Sequence, residues 1–226
     1  MFNENIILDI PQKEQDIFYV ALLQKKLTDL FDNQHVTAID RQRFWNQIFD
    51  QHQDASRAYH NLSHLYSIHA VASLYPDFPE DNDLFYWILF FHDLIYNAHK
   101  QNNEVESAKM AAAFLSPYLS SEQIDYIVSV IHSTAKHQPL DDQLTTRIFL
   151  DSDLAILAAP LKVYQRYAKA IRKEYRIFPD LLYKPGRRKV LRHFLERPRI
   201  YFTEWFFMHG EEQARKNLEW EVKQLK

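Results

Sequence analysis

Cysteine is absent from the 226 residues. That excludes disulfides and thiolate metal sites and leaves nitrogen and oxygen as donors for any bound metal. Glycine occurs twice, at Gly186 and Gly210. A phosphate loop built on several glycines is therefore excluded, and a sheet-rich fold with many tight turns is disfavoured. Charge of one sign is also lacking: 27 basic residues stand against 30 acidic ones, for a formal net charge of −3. This argues against nucleic-acid binding and against a role on a membrane surface. No apolar run is long enough to span a bilayer, since the longest, near residues 84–95, ends in charge. The first sixteen residues, MFNENIILDIPQKEQD, mix acids and amides with apolar residues, so no secretory leader is expected. The expected location is the cytoplasm.

What the chain does hold is apolar and aromatic mass, 46% and 15% of its residues, enough to fill a helical core. Apolar residues recur at helical spacing in Ile17 to Phe31 and Arg41 to Phe49. The pattern predicts further helices over about Tyr59 to Tyr75, Asp83 to Tyr96, Glu104 to Leu115 and from Ser121 past Ile131. A segment carrying Leu144 to Leu157 follows, then helices from Pro160 to Tyr175, Leu181 to Leu195 and Thr203 to Leu225. Prolines punctuate the connections, and PDFPEDND after Tyr75 reads as an acidic loop. No repeat or composition shift marks a linker. The expectation is an all-α, single-domain helical bundle. About residues 1–35 form an N-terminal helical extension, and about 36–226 form the core and C-terminal helices.

The chemistry-bearing residues fall in a His … His-Asp … Asp order. His60 and His64, in YHNLSH, are four apart and share a face if helical. His92 and Asp93 lie inside the apolar run LFYWILFFHDLI, where a buried His and Asp are costly without partners. On a helix they point about 100° apart, so they serve one site only near a helix end. Asp151 and Asp153, in FLDSDLAIL, cannot both face the same way on a helix, so one is a ligand candidate and the other a cap. Imidazole and carboxylate donors suit Mn, Fe, Co, Ni, Zn or, less well, Mg. Arg172, Lys184 and Arg187 are candidate phosphate contacts, a solvated helix face being the plainer reading. Trp205-Phe206-Phe207 reads as core rather than as a stacking surface.

These residues resemble the HD superfamily of metal-dependent phosphohydrolases, and within it a bacterial branch of predicted phosphohydrolases. The matching positions are Arg57, Tyr59, His60, Leu62 and His64, then Phe91, His92, Asp93 and Tyr96, then Asn103, Glu104, Ser107 and Ala108, then Thr134 and His137, and finally Asp151 through Leu157. The later stretches IRKEY (Ile171 to Tyr175), YKPGR (Tyr183 to Arg187) and RPRIYFT (Arg197 to Thr203) also match, so the likeness runs from about residue 40 to the end. YHNLSH is similar to a segment of the cyclic-nucleotide phosphodiesterases, which also belong to the superfamily. That likeness implies His64, His92, Asp93 and Asp153 as metal ligands and His60 as the general acid. The chain lacks the H-P-G that follows His-Asp in those enzymes, having Leu94-Ile95-Tyr96 instead, and it lacks the H-D-x-x-E-D of the alarmone hydrolases.

The resemblance implies a divalent ion, a small phosphorylated substrate (nucleotides included) and hydrolysis by metal-activated water. Asp93 is then the candidate to accept the water's proton and Glu104 the candidate proton-transfer carboxylate, a surface helix acid being the other reading of Glu104. His137 and, less so, His132 are candidates for a second metal or a phosphate. Two other functions fit the residues: an HD-type di-iron oxygenase, which needs more histidines than His99, His132 and His137 readily supply, and a non-catalytic nucleotide-binding module.

Overall fold

The computed structural model describes residues 13–76, 78 and 82–226, with side chains from residue 18 onward. The N-terminal residues on which no leader was expected and most of the acidic loop after Tyr75 lie outside the described residues. Those residues are helical, with no strands among them: α1 (Lys13–Asn33), α2 (Ala38–His52), α3 (Leu62–Ala72), α4 (Asp83–Phe91), α5 (Asn103–Leu115), α6 (Ser121–Thr134), α7 (Leu144–Asp153), a 3-10 turn (Leu154–Ala158), α8 (Leu161–Glu174), α9 (Asp180–Leu195) and α10 (Glu204–Gln224). No described helix is long and apolar enough to cross a membrane.

α4 is the axis of the N-terminal half. Its residues Phe85 to Phe91 are all buried, most of them wholly, so no polar face remains and the helix needs protein on every side. α1, α3, α5, α6 and α7 supply it. α1 brings Leu23, Leu27, Leu30 and Phe31 into this core, so the N-terminal helix is part of the packed domain rather than an appendage to it. Each buried Leu or Phe of this kind contributes about 1.5–3 kcal/mol relative to exposure. A second core, built from α8, α9, α10 and the 3-10 turn, runs from Leu154 to Leu225 and takes in Val71 of α3. Phe206 is buried in it, with Trp205 and Phe207 packed against its edge.

The helix starts follow their caps. Asn61, Asn82 and Thr203 each accept from a backbone N–H of the following turn, and Ser120 with Gln123 forms a reciprocal capping box. Two ends depart from the sequence pattern. α3 begins at Leu62, so His60 lies before the helix and does not share a helical face with His64. The cause is Asn61, whose side chain takes the Ser63 N–H, together with Glu174, which accepts from the backbone N–H groups of Tyr59 and His60. α4 stops at Phe91, five residues short of Tyr96. The turn just after it is held by the Arg57 guanidinium, which donates to Asp93 O at 2.7 Å and Leu94 O at 2.9 Å. Ser107 then exchanges hydrogen bonds with the backbone of Ile95, and Asn103 does so with that of Asn97.

Candidate metal centre

The early end of α4 puts His92 on its last rung and Asp93 just beyond, turned to the same side. His92 Nδ1 lies 2.9 Å from the Leu89 carbonyl, which only accepts, so Nδ1 carries a proton and Nε2 is the nitrogen that offers a lone pair when the ring is neutral. That Nε2 stands 3.4 Å from His64 Nε2 and 3.3 Å from Asp93 Oδ2. His64 Nε2 is 3.3 Å from Asp153 Oδ1 and 3.7 Å from Asp93 Oδ2. Asp153 is the last residue of α7, and its second oxygen, Oδ2, is 3.2 Å from His137 Nε2.

Two imidazole nitrogens and two carboxylates facing one another this closely, with the carboxylates at most 15% exposed, repel unless positive charge sits among them. Burial disfavours the charged form of His92, but the charge and hydrogen bond of Asp93 outweigh it and lift its pKa to about 9. On Asp153 burial is likewise outweighed, by His137 and His64, and its carboxyl is held well below the usual range. His64, buried with less help, is pulled below the ordinary imidazole value. Donors bonded to one ion at ~2.0–2.2 Å stand ~2.8–3.6 Å apart at octahedral or tetrahedral angles, which matches the 3.3 and 3.4 Å separations, with the 3.7 Å of His64 to Asp93 just beyond. The group His64, His92 and Asp153 can therefore hold a metal ion, with Asp93 beside it.

The two aspartates of FLDSDLAIL separate cleanly. Asp151 is fully buried and points away from the cluster, accepting from Phe202 N, Thr203 N and Thr203 Oγ1 at 2.7–2.8 Å. It pins the segment entering α10, while burial raises its carboxyl to about 7.

His60 lies next to the cluster, its ring centroid 5.5 Å from that of His64. Its Nδ1 is 2.7 Å from Glu174 Oε2, which also accepts from the Tyr96 hydroxyl. Burial works against the His60 imidazolium, yet the Glu174 charge and hydrogen bond raise its pKa above the ordinary value. Glu174 falls correspondingly to about 2, against the opposing effect of its own burial. The carboxylate thus fixes the ring, leaves Nε2 as the free donor and stabilises the charged form. IRKEY contained this residue, but its role was not legible: the acid sits 114 positions from its imidazole, and only the tertiary fold joins them.

His137 takes a left-handed backbone conformation, φ 45°, which costs a non-glycine residue ~1–2 kcal/mol. Arg197 holds it there by donating to the carbonyls of Lys136 and His137. His132 is exposed on α6 and His99 is exposed against Phe178, so neither reaches the cluster. Glu104 sits in the first turn of α5, and among the described residues no hydrogen bond or ion pair joins it to the site; its charge complements the helix N-terminus there.

A cavity of about 170 Å³ opens beside the centre. His60, His137 and Asp153 line one side, Leu157, Ile171, Leu191 and Phe194 form apolar walls, and Arg187 lines it too. Arg187 is largely buried and already paired: Nε and Nη2 donate to Glu221 and Nη2 to the Tyr167 hydroxyl. Arg172 and Lys184, grouped with it in the sequence reading, lie elsewhere. Arg172 donates to Asp180 and to the carbonyls of Tyr175 and Phe178, and with Lys184 it lines a separate groove.

Comparison with protein-family models, curated proteins and solved structures finds no match to this chain.

Proposed function

We propose that this protein is a metal-dependent phosphohydrolase of the HD type, cleaving a phosphomonoester or phosphodiester of a small metabolite. The observation that carries the reading is the pairing of two devices at one cavity: a nitrogen–carboxylate cluster built for a divalent ion and, next to it, an imidazole charged by a buried carboxylate. A cluster alone fits a structural metal. The His60–Glu174 pair has no such use and fits a proton donor.

A divalent ion held by His64, His92, Asp93 and Asp153 supplies a water of lowered pKa and a positive centre for the phosphoryl oxygens. The chain's own residues do the rest. Asp93, 15% exposed and on the rim of the cluster, accepts the proton from the attacking water. His60 Nε2 donates a proton to the leaving oxygen, and Glu174 holds the ring charged until it does. Asp153 spans His64 and His137 with its two oxygens, which supports His137 as the contact for the phosphoryl group or a second ion. Apolar walls keep water from the leaving group, and Arg187, which also lines the cavity, is already paired with Glu221. The di-iron oxygenase alternative needs further histidine ligands, and of His99, His132 and His137 only the last reaches the cluster. The non-catalytic alternative leaves the charged His60 without a task.

Elemental analysis of purified protein, followed by phosphomonoester and phosphodiester panels with Mn, Fe, Co, Ni, Zn and Mg, tests the proposal. Hydrolysis is expected to vanish with chelator and return with one of these ions. A metal-loaded protein that leaves every ester intact, or that consumes oxygen instead, overturns it.

A further inference from the structure

His60, the proposed proton donor, lines the cavity of about 170 Å³ beside the metal cluster. A leaving alcohol protonated by His60 therefore lies in that cavity while the phosphoryl group stays at the cluster. Three features of the cavity then select the alcohol. The first is size. Pockets that bury a drug-sized ligand run to ~300–1,000 Å³, whereas an apolar cavity of ~150 Å³ takes a single benzene ring. A base joined to a ribose exceeds that room, and the excess sits in solvent without contacts.

The second feature is the wall. Leu157 of the 3-10 turn, Ile171 of α8, and Leu191 and Phe194 of α9 line it and are all buried. The tyrosines of the lining, Tyr59, Tyr167 and Tyr175, are uncharged, since burial pushes each phenol above its ordinary value. The third is the lack of an available charge. Apart from the two histidines at the cluster, the cation lining the cavity is Arg187, and it donates to Glu221 at 2.8 and 3.1 Å with both side chains at most 10% exposed. Arg188, Lys189 and Arg192, further along α9, line a different groove. A second phosphate or a carboxylate on the alcohol would enter without a partner and bear the full cost of its desolvation.

We propose that the ester cleaved at this centre carries a small, uncharged, mainly apolar alcohol, ring-sized at most, and that nucleoside phosphates and diphosphates are poor substrates. The inference rests on the hydrolase reading above and agrees with its acid: an alcohol is a poor leaving group until it is protonated, which is the task given to His60.

The test is calorimetric titration of the full-length protein, loaded with Mn, with benzylphosphonate and methylphosphonate, neither of which can be hydrolysed as an ester. Benzylphosphonate is expected to bind at least about tenfold more tightly, because its ring enters the cavity. Val190 lines the cavity at a position 47% exposed, where a larger side chain does not disturb the core. Val190→Trp is expected to remove the preference for the ring and to leave the affinity for methylphosphonate unchanged. In turnover, kcat/KM for benzyl phosphate is expected to exceed that for AMP or pyrophosphate by at least about tenfold. Equal affinity for the two phosphonates, a preference that survives Val190→Trp, or faster turnover of AMP than of benzyl phosphate overturns the substrate class. A protein that keeps the phosphonate preference but cleaves no ester overturns the hydrolase reading instead, and leaves the ligand class of the cavity standing.

Discussion

The two cores differ in kind, and the candidate metal centre lies where they meet. The N-terminal core is filled by stacked aromatics and aliphatics, with Phe44 centred 4.6 Å from Phe91 and 4.3 Å from Phe114. The C-terminal core is laced with buried polar groups, each tied to backbone or to a partner. Asn217 donates to the carbonyls of Leu157 and Ala159, Glu211 accepts from Ile200 N and Tyr201 N, and Glu221 pairs with Arg187. The first core ends at Phe149 and the second begins at Leu154. Between them lie Asp151, which serves the fold, and Asp153, which faces the ligand cluster. Apolar packing makes a rigid frame to carry ligands. Irregular backbone such as the 3-10 turn and the Arg197–Thr203 segment needs specific polar ties, and the second core supplies them.

The sharpest way to break this comparison is at the seam. Asp153→Ala is expected to drop the metal content of purified protein to background and hydrolysis by at least ~10³-fold, read by elemental analysis and ester turnover. Asp151→Ala is expected to keep its metal while losing about 3 kcal/mol of stability, from three donors stripped of a buried acceptor, read by urea unfolding. If both variants lose metal alike, the division of labour between the two carboxylates is wrong.

Next in size is Glu174→Gln, expected to lower kcat by ~10–100-fold with little change in KM. Its signature is in the pH profile. With His60 as the proposed acid, activity is expected to fall as pH rises through its pKa. Removing Glu174 lowers that pKa, and the alkaline limb moves to lower pH. The stability of the wild-type protein follows the same pair. Glu174, brought down to about 2, stabilises above its unfolded value of ~4.3 and loses that contribution as pH falls toward 2. His60, raised, contributes fully below its unfolded ~6.5 and loses its share as pH climbs through the folded value. Glu174→Gln should flatten both flanks in a stability scan against pH.

Within the cores, Phe44→Ala is expected to cost ~3–5 kcal/mol by opening a cavity in the aromatic stack. Asn217→Leu, similar in volume, is expected to cost ~2 kcal/mol by orphaning two carbonyls. Chemical denaturation ranks them. Smallest of all is Glu104→Gln, expected to leave turnover within about twofold of wild type, since the residue faces no site group.

The helical class was legible because scarce glycine and 3.6-residue periodicity both report local preferences. The set His64, His92, Asp93 and Asp153 was legible only through the resemblance to the HD-type enzymes: apolar neighbours turn His92 and Asp93 inward, but they do not choose His64 over His60 or Asp153 over Asp151. What could not be read depends on distance. Glu174 looks like any acid at the end of a basic helix until the fold sets it under His60. Arg187 looks like one of five cations in a row until Glu221, 34 residues on, buries it. Lys184 shares that stretch and Arg172 lies on α8, and the two line another groove. Glu104 carried a motif position without a contact, while its neighbours Asn103 and Ser107 secure the loop after Asp93. α4 was expected to run to Tyr96 because apolar pattern alone cannot announce that an arginine from residue 57 will hold a turn at Asp93 and Leu94.

Glu174 accepts from two backbone amides, one imidazole and one phenol, all lying 78 to 115 residues earlier in the chain. A chain emerging from the ribosome therefore carries every proposed cation ligand once residue 153 is out, whereas the carboxylate that fixes the proposed proton donor arrives only with α8. The orienting group is the last part of the proposed site to be made.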